Sequence, residues 1–95
     1  MSSLYLVIIS YDIAHPRRLN RVAKVLETAG VRIQKSVFEC GLTPDALLAL
    51  RLRLRRLIDP AEDHILITPV CSRCRPHIHW QGKLPDVSAA PYWII

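Results

Sequence analysis

An α+β fold is predicted for this 95-residue chain on three observations. Short runs rich in β-branched and aromatic residues alternate with segments whose apolar residues recur at helical spacing. Proline, glycine and hydroxyl residues stand where one kind of segment gives way to the other. Hydrophobic residues make up 51% of the chain, enough for a two-layer core, while its length suits one domain and not two.

Leu4 to Tyr11 (LYLVIISY) is too short for a stable helix and reads as a buried strand, with Asp12 at its end. His15-Pro16 marks a helix start, because proline suits the first helical turn. Leu19, Val22, Ala23, Leu26 and Ala29 then form the core stripe, with Arg17, Arg21, Lys24 and Thr28 on an outer stripe. Gly30 is a helix stop, free to adopt a left-handed conformation.

Val31 to Leu42 (VRIQKSVFECGL) is strand-like but shifts phase near Lys35-Ser36, giving one bent strand or two joined tightly. Thr43-Pro44-Asp45 combines a hydroxyl cap, a proline and an acid near the positive end of a helix dipole. The following LRLRLRR alternates like a strand, yet Leu47, Leu50, Leu54, Leu57 and Ile58 fit a helical stripe and the cap decides for helix; Asp59-Pro60 ends it. His64 to Val70 (HILITPV) is the last strand of the core. Beyond Cys71, Pro76, Pro85 and Pro91 predict loop, with a short strand around His77 to Gln81. The terminal YWII is too apolar to stand in water and is expected to dock.

Two helices on one face of a small sheet make this a ferredoxin-like βαββαβ sandwich with an extra C-terminal strand or tail. Residues 1–80 are assigned to that domain, and 81–95 to a tail docking on its own sheet or a partner's.

Charge narrows the function. The net charge is +5, and residues 1–60 hold ten Lys/Arg against five Asp/Glu, while residues 61–95 hold three against three. That asymmetry favours a polyanionic partner; the other reading is a domain that is simply soluble and basic. No apolar run of about 18 residues is present, so no membrane partner is expected. The start has no basic stretch before its apolar run and no A-x-A site, and three cysteines are a poor disulfide framework; both point to a soluble, cytoplasmic protein. G-x-S-x-G, P-loop and dinucleotide fingerprints are absent.

Asp12 is the candidate metal ligand. A strand-end carboxylate suits a hard cation such as Mg²⁺, which takes oxygen ligands and keeps several waters. One carboxylate is a weak site, and a symmetric homodimer placing two copies of Asp12 together would make a better one. The other reading is that Asp12 caps the following helix or forms a turn. Arg17, Arg18, Arg21, Lys24, Arg32 and Lys35 are candidates to follow a phosphate backbone, arginine because its fork engages two phosphate oxygens. Arg51, Arg53, Arg55 and Arg56 point several ways round their helix and read as solvated surface. Cys71, Cys74, His77 and His79 are all zinc-competent. The step from Cys74 to His77 is cramped for one tetrahedral site, so zinc is not expected there and a partly buried thiol pair is. His15 and His64 read as surface or turn residues.

Taken together, a strand ending in Tyr-Asp-Ile, then L-N-R-V-A-K-V-L, then G-V-R-I-Q-K-S-V-F-E-C resembles the CRISPR-associated protein two family, small CRISPR adaptation proteins also named CRISPR-associated endoribonucleases. I-D-P-A-E-D-H-I-L-I-T-P-V-C-S-R-C is similar to the family's last core strand and closing C-x-x-C, and the likeness spans about residues 4 to 75. The resemblance implies a homodimer with Asp12 as the metal-linked aspartate at its seam, sharing one Mg²⁺. It places Tyr11, Ser36 and Phe38 with Asp12 as catalytic positions, and Arg21 and Arg32 against nucleic acid. It implies a role in antiviral defence: binding a DNA duplex, or single-stranded RNA, and bridging the CRISPR integrase (CRISPR-associated protein one) during spacer acquisition, with Mg²⁺-dependent endonuclease activity. A non-catalytic DNA-binding scaffold and a ribonuclease toxin of similar fold are the alternatives. One departure stands out: Ala14-His15-Pro16 occupies positions where family members often carry further acids.

Overall fold

The computed structural model describes residues 4–79, 81 and 82. The element order is β1 (Tyr5–Asp12), α1 (Pro16–Ala29), β2 (Gly30–Gln34), β3 (Val37–Leu42), α2 (Pro44–Leu57), β4 (His64–Val70) and a single 3₁₀ turn, Arg75–His77. The four strands form one antiparallel sheet in the order β2-β3-β1-β4. That is the ferredoxin-like arrangement expected, with both helices on one face. The tail 81–95 and its YWII lie outside the described residues apart from Gln81 and Gly82.

Alternation along the strands assigns the two faces. Val7, Ile9 and Tyr11 of β1, Phe38, Cys40 and Leu42 of β3, and Ile65 and Ile67 of β4 meet the helices. α1 contributes Val22, Val25 and Leu26, and α2 contributes Leu50 and Leu54. Val25 was absent from the expected stripe; it widens the buried face of α1. Leu48 and Leu52 are half exposed and, with Arg51, Arg55 and Ile67, rim a groove between α2 and β4.

The opposite face carries Leu6, Ile8, Ser10 and Asp12 of β1 in register with Val70, Thr68, Leu66 and His64 of β4. Leu6 is buried there by Val31, Val70 and Ile78, and Leu66 is 62% exposed. Glu39 lies on this face too, fully buried.

Of the two readings of the 31–42 run, two strands joined at residues 35–36 is the one observed, with a register shift between Arg32 and Gln34. Two local expectations change. Gly30 is extended (φ −168°, ψ −156°), so it is required for space and not for handedness. A Cβ there would meet the Glu39 carbonyl oxygen, Cys40 Sγ at 2.6 Å and Cys40 Cα at 2.9 Å. Among the described residues no strand forms over His77 to Gln81: His77 closes a 3₁₀ turn that begins at Arg75, and Ile78, His79 and Gln81 are irregular.

Candidate nucleic-acid interface and strand-end site

Asp12 closes β1, the strand between β3 and β4, and its side chain is 80% exposed on the face away from the helices. It neither caps α1 nor forms a turn. The cap is His15, whose Nδ1 accepts a hydrogen bond from Arg17 N (3.2 Å). The residue facing Asp12 across the ladder is His64, with Nε2 4.0 Å from Asp12 Oδ2. Sequence reading treated His64 as a lone surface residue. Its position at the start of β4 was the available signal, since antiparallel pairing sets the first residue of one strand beside the last of its neighbour.

Tyr11 cannot share that surface, because successive residues of a strand point to opposite faces. It is buried on the helix side, stacked on Phe38 at a centroid distance of 6.2 Å, and its hydroxyl donates to Lys35 O (3.5 Å). Arg32 lies over the Phe38 ring, its guanidinium carbon 5.0 Å from the centroid, and donates to Lys35 O (3.1 Å) and to Glu27 (3.3 Å). This cation–π and hydrogen-bonded set fixes the β2–β3 turn. Ser36 sits in that turn, and its carbonyl accepts from Tyr11 N (3.1 Å). The candidate residues thus divide in two. Asp12 faces outward, while Tyr11 and Phe38 are core residues that hold the turn bearing Lys35 and Ser36 beside it.

The basic residues divide as well. Arg17, Arg21 and Lys24 are exposed on α1, and their side chains make no ion pair among the described residues. Arg18 is engaged internally. Its Nε donates to Asp63 Oδ2 (2.7 Å), and one terminal nitrogen donates to Asp63 Oδ1 (3.2 Å) and Glu62 Oε2 (2.9 Å). Asp63 is buried and also accepts from Ala14 N and Asp59 N, both at 2.9 Å. Arg18's hydrogen bond, then the two backbone donors, hold the Asp63 carboxyl well below the usual carboxylate range. One buried carboxylate therefore ties the loop after β1 to the loop before β4, fixing both ends of the Asp12–His64 pair. Sequence reading gave Asp63 no role.

Among the described residues no three of His, Cys, Asp and Glu gather into a metal-holding group, and at the end of β1 Asp12 has His64 beside it. The oxygen chemistry fits Mg²⁺ as a contribution to a shared, water-rich site. Cys71 and Cys74 are both exposed, not partly buried as expected. No helix among the described residues is long and apolar enough to cross a membrane.

A family model described as CRISPR associated protein Cas2 matches residues 5–78. A protein from Chloroflexus aurantiacus named CRISPR-associated endoribonuclease Cas2 1 is 43% identical over 90 residues, covering 92% of this chain and 97% of that protein. Another from Thermus thermophilus, named CRISPR-associated endonuclease Cas2 2, is 38% identical over 79 residues, covering 83% and 86%. Among solved structures, a hypothetical protein from Thermus thermophilus superposes with a TM-score of 0.78 at 36% identity, covering 86% of this chain and 95% of that one. Streptococcus pyogenes Cas2 does so with a TM-score of 0.72 at 32% identity, covering 81% and 99%.

Proposed function

The chain belongs to the CRISPR associated protein Cas2 family, and from that premise we propose that it is a metal-dependent endonuclease of CRISPR adaptation that acts as a homodimer. The observation that carries this reading is the placement of Asp12, an exposed carboxylate at the end of a strand whose outer face is largely apolar. Ile8, Leu66 and Val70 on that face are the kind of surface a second copy covers, and a two-fold arrangement would bring two Asp12 carboxylates towards one point. Asp12 from each copy would hold Mg²⁺ there, and the ion would supply positive charge against the charge that develops on a phosphodiester. His64 adds a polar group beside it, and the turn at Lys35 and Ser36 borders the approach. Arg17, Arg21 and Lys24 bind backbone phosphates of duplex DNA or single-stranded RNA. Arg18 positions the loop.

The adaptation role also carries the partners: a DNA duplex on the basic surface and the CRISPR integrase bridged by the dimer. A non-catalytic scaffold is the second reading, favoured by the absence, among the described residues, of any group of three metal-ligating side chains.

Hydrolysis of labelled single-stranded RNA and double-stranded DNA, with Mg²⁺ or EDTA, tests this with wild type and Asp12→Ala purified identically. Metal-dependent cleavage lost in the variant is the expected result. Equal cleavage by both proteins refutes a site built on Asp12. No cleavage by either, with salt-sensitive duplex binding by both, establishes the scaffold.

A further inference from the structure

The thiols of Cys71 and Cys74 take no part in the reading above. They follow β4 directly, in a turn where Cys71 O accepts hydrogen bonds from both Cys74 N and Arg75 N at 3.0 Å. That turn folds the chain back so that the two sulfurs lie 3.3 Å apart, both in solvent. The third cysteine is a built-in contrast. Cys40 is fully buried in the core, and burial, helped by the Glu39 charge, pushes its thiol up to about 11.

We propose that Cys71 and Cys74 form a redox-active dithiol, oxidised by small-molecule disulfides to an intrachain bond that closes the turn after β4. The thiolate, and not the thiol, is the attacking species. Cys71 is the better candidate for it, because the hydrogen bond from Cys74 stabilises its charged form and lowers its proton affinity, while the same contact raises that of Cys74. The Cys71 thiolate attacks one sulfur of a disulfide RSSR, forming Cys71–S–SR and releasing RS⁻. Cys74 then loses its proton to solvent and attacks the Cys71 sulfur, releasing the second RS⁻. Two protein thiols are oxidised to one disulfide, and one small disulfide is reduced to two thiols. Proximity favours the second step over a lasting mixed disulfide, since the resolving sulfur is already within hydrogen-bond distance.

The closed turn has a structural consequence. His77 N donates to Cys74 O and Ile78 N donates to Arg75 O, and Ile78 packs with Leu6 on the outer sheet face. A covalent bond from Cys71 to Cys74 restrains the path by which Ile78 reaches that face.

The test uses the full-length protein, equilibrated in glutathione buffers from fully reduced to fully oxidised, acid-quenched and read by intact mass. Wild type is expected to lose two hydrogens reversibly, with dithiothreitol restoring the reduced mass. Cys71→Ser and Cys74→Ser are each expected to stop instead at a glutathione adduct. In the reduced folded protein, Cys71 is expected to alkylate at least about tenfold faster than Cys40. The amides of Cys74 and Arg75 are expected to exchange with deuterium more slowly after oxidation. Wild type that stays reduced across the series, or accumulates only the mixed disulfide, overturns the proposal. So does alkylation of Cys40 as fast as that of Cys71.

Discussion

Replacing Gly30 by alanine should destabilise the domain through a single methyl group. The backbone there is extended, so alanine meets no conformational obstacle. The obstacle is β3. The new Cβ would overlap the Glu39 carbonyl oxygen and lie 2.6 Å from Cys40 Sγ and 2.9 Å from Cys40 Cα. Two of those three atoms are main chain of a strand held on its other side by β1, through the pairs Val7–Cys40 and Ile8–Glu39. β2 is an edge strand and must therefore give way. Overpacking of this kind costs about 1–3 kcal/mol, and each kcal/mol lowers the Tm of a domain this size by about 4–8 °C. A fall of roughly 10 °C in thermal unfolding followed by circular dichroism is the expected result. Cys40→Ala supplies the control, because it removes the sulfur and leaves both backbone contacts. The double variant should still melt well below Cys40→Ala alone, with only part of the Gly30→Ala loss recovered. A Gly30→Ala protein melting within about 2 °C of wild type, or full recovery in the double variant, would refute the argument from backbone approach.

Arg18 holds the Asp63 carboxyl below its ordinary range, so the unfolded chain takes up a proton first as pH falls. Its stabilisation is present above the unfolded carboxylate value of about 3.9 and is lost below it. Urea unfolding across pH should accordingly show Asp63→Asn weaker than wild type at neutral pH, with the gap closing under acid; a gap constant in pH contradicts the pairing. Arg21→Ala should weaken duplex DNA binding and reduce the slope of log affinity against log salt by about 1, whereas Arg18→Ala should lower Tm and leave that slope unchanged. Leu66→Asp should shift sedimentation from dimer to monomer at micromolar concentration; an unaltered dimer would remove the outer sheet face as the contact.

The order of elements was legible because strand and helix periodicities differ and Thr43 and Pro16 mark helix starts plainly. LRLRLRR shows why the cap had to decide. Its alternation is real, and as a helix it leaves Leu52 half exposed. Asp12 was legible as a strand-end acid. Its separation from Tyr11 by sheet parity was also legible in principle, but grouping both by resemblance concealed it. Asp63 was not legible, because its role depends on a contact to Arg18 forty-five positions away that leaves no local pattern. His64 was legible only through its place at the start of β4, and only once β4 is paired with β1. Gly30 was flagged for the wrong reason, because a glycine needed for close approach and one needed for positive φ look alike in sequence.

Under the proposed function, the same parity would separate binding from hydrolysis. Asp12 faces away from the helices, while Arg17, Arg21 and Lys24 lie in the helical layer on the other side of the sheet. α1 begins only four residues after Asp12 and runs back along the sheet, so Arg17 stands near the Asp12 end and Lys24 lies about 10 Å further along the axis. A nucleic acid following this stripe reaches Asp12 only by passing round the end of β1, over the loop that Asp63 anchors through Ala14 N. Lys24 can therefore contribute to affinity without touching the phosphate at Asp12, and Asp12 can be removed without loss of the stripe. Substitutions of Arg17, Arg21 or Lys24 should then act on binding and its salt dependence, Asp12→Ala on cleavage alone, and Asp63 on both, because the crossing point moves when its anchor is lost.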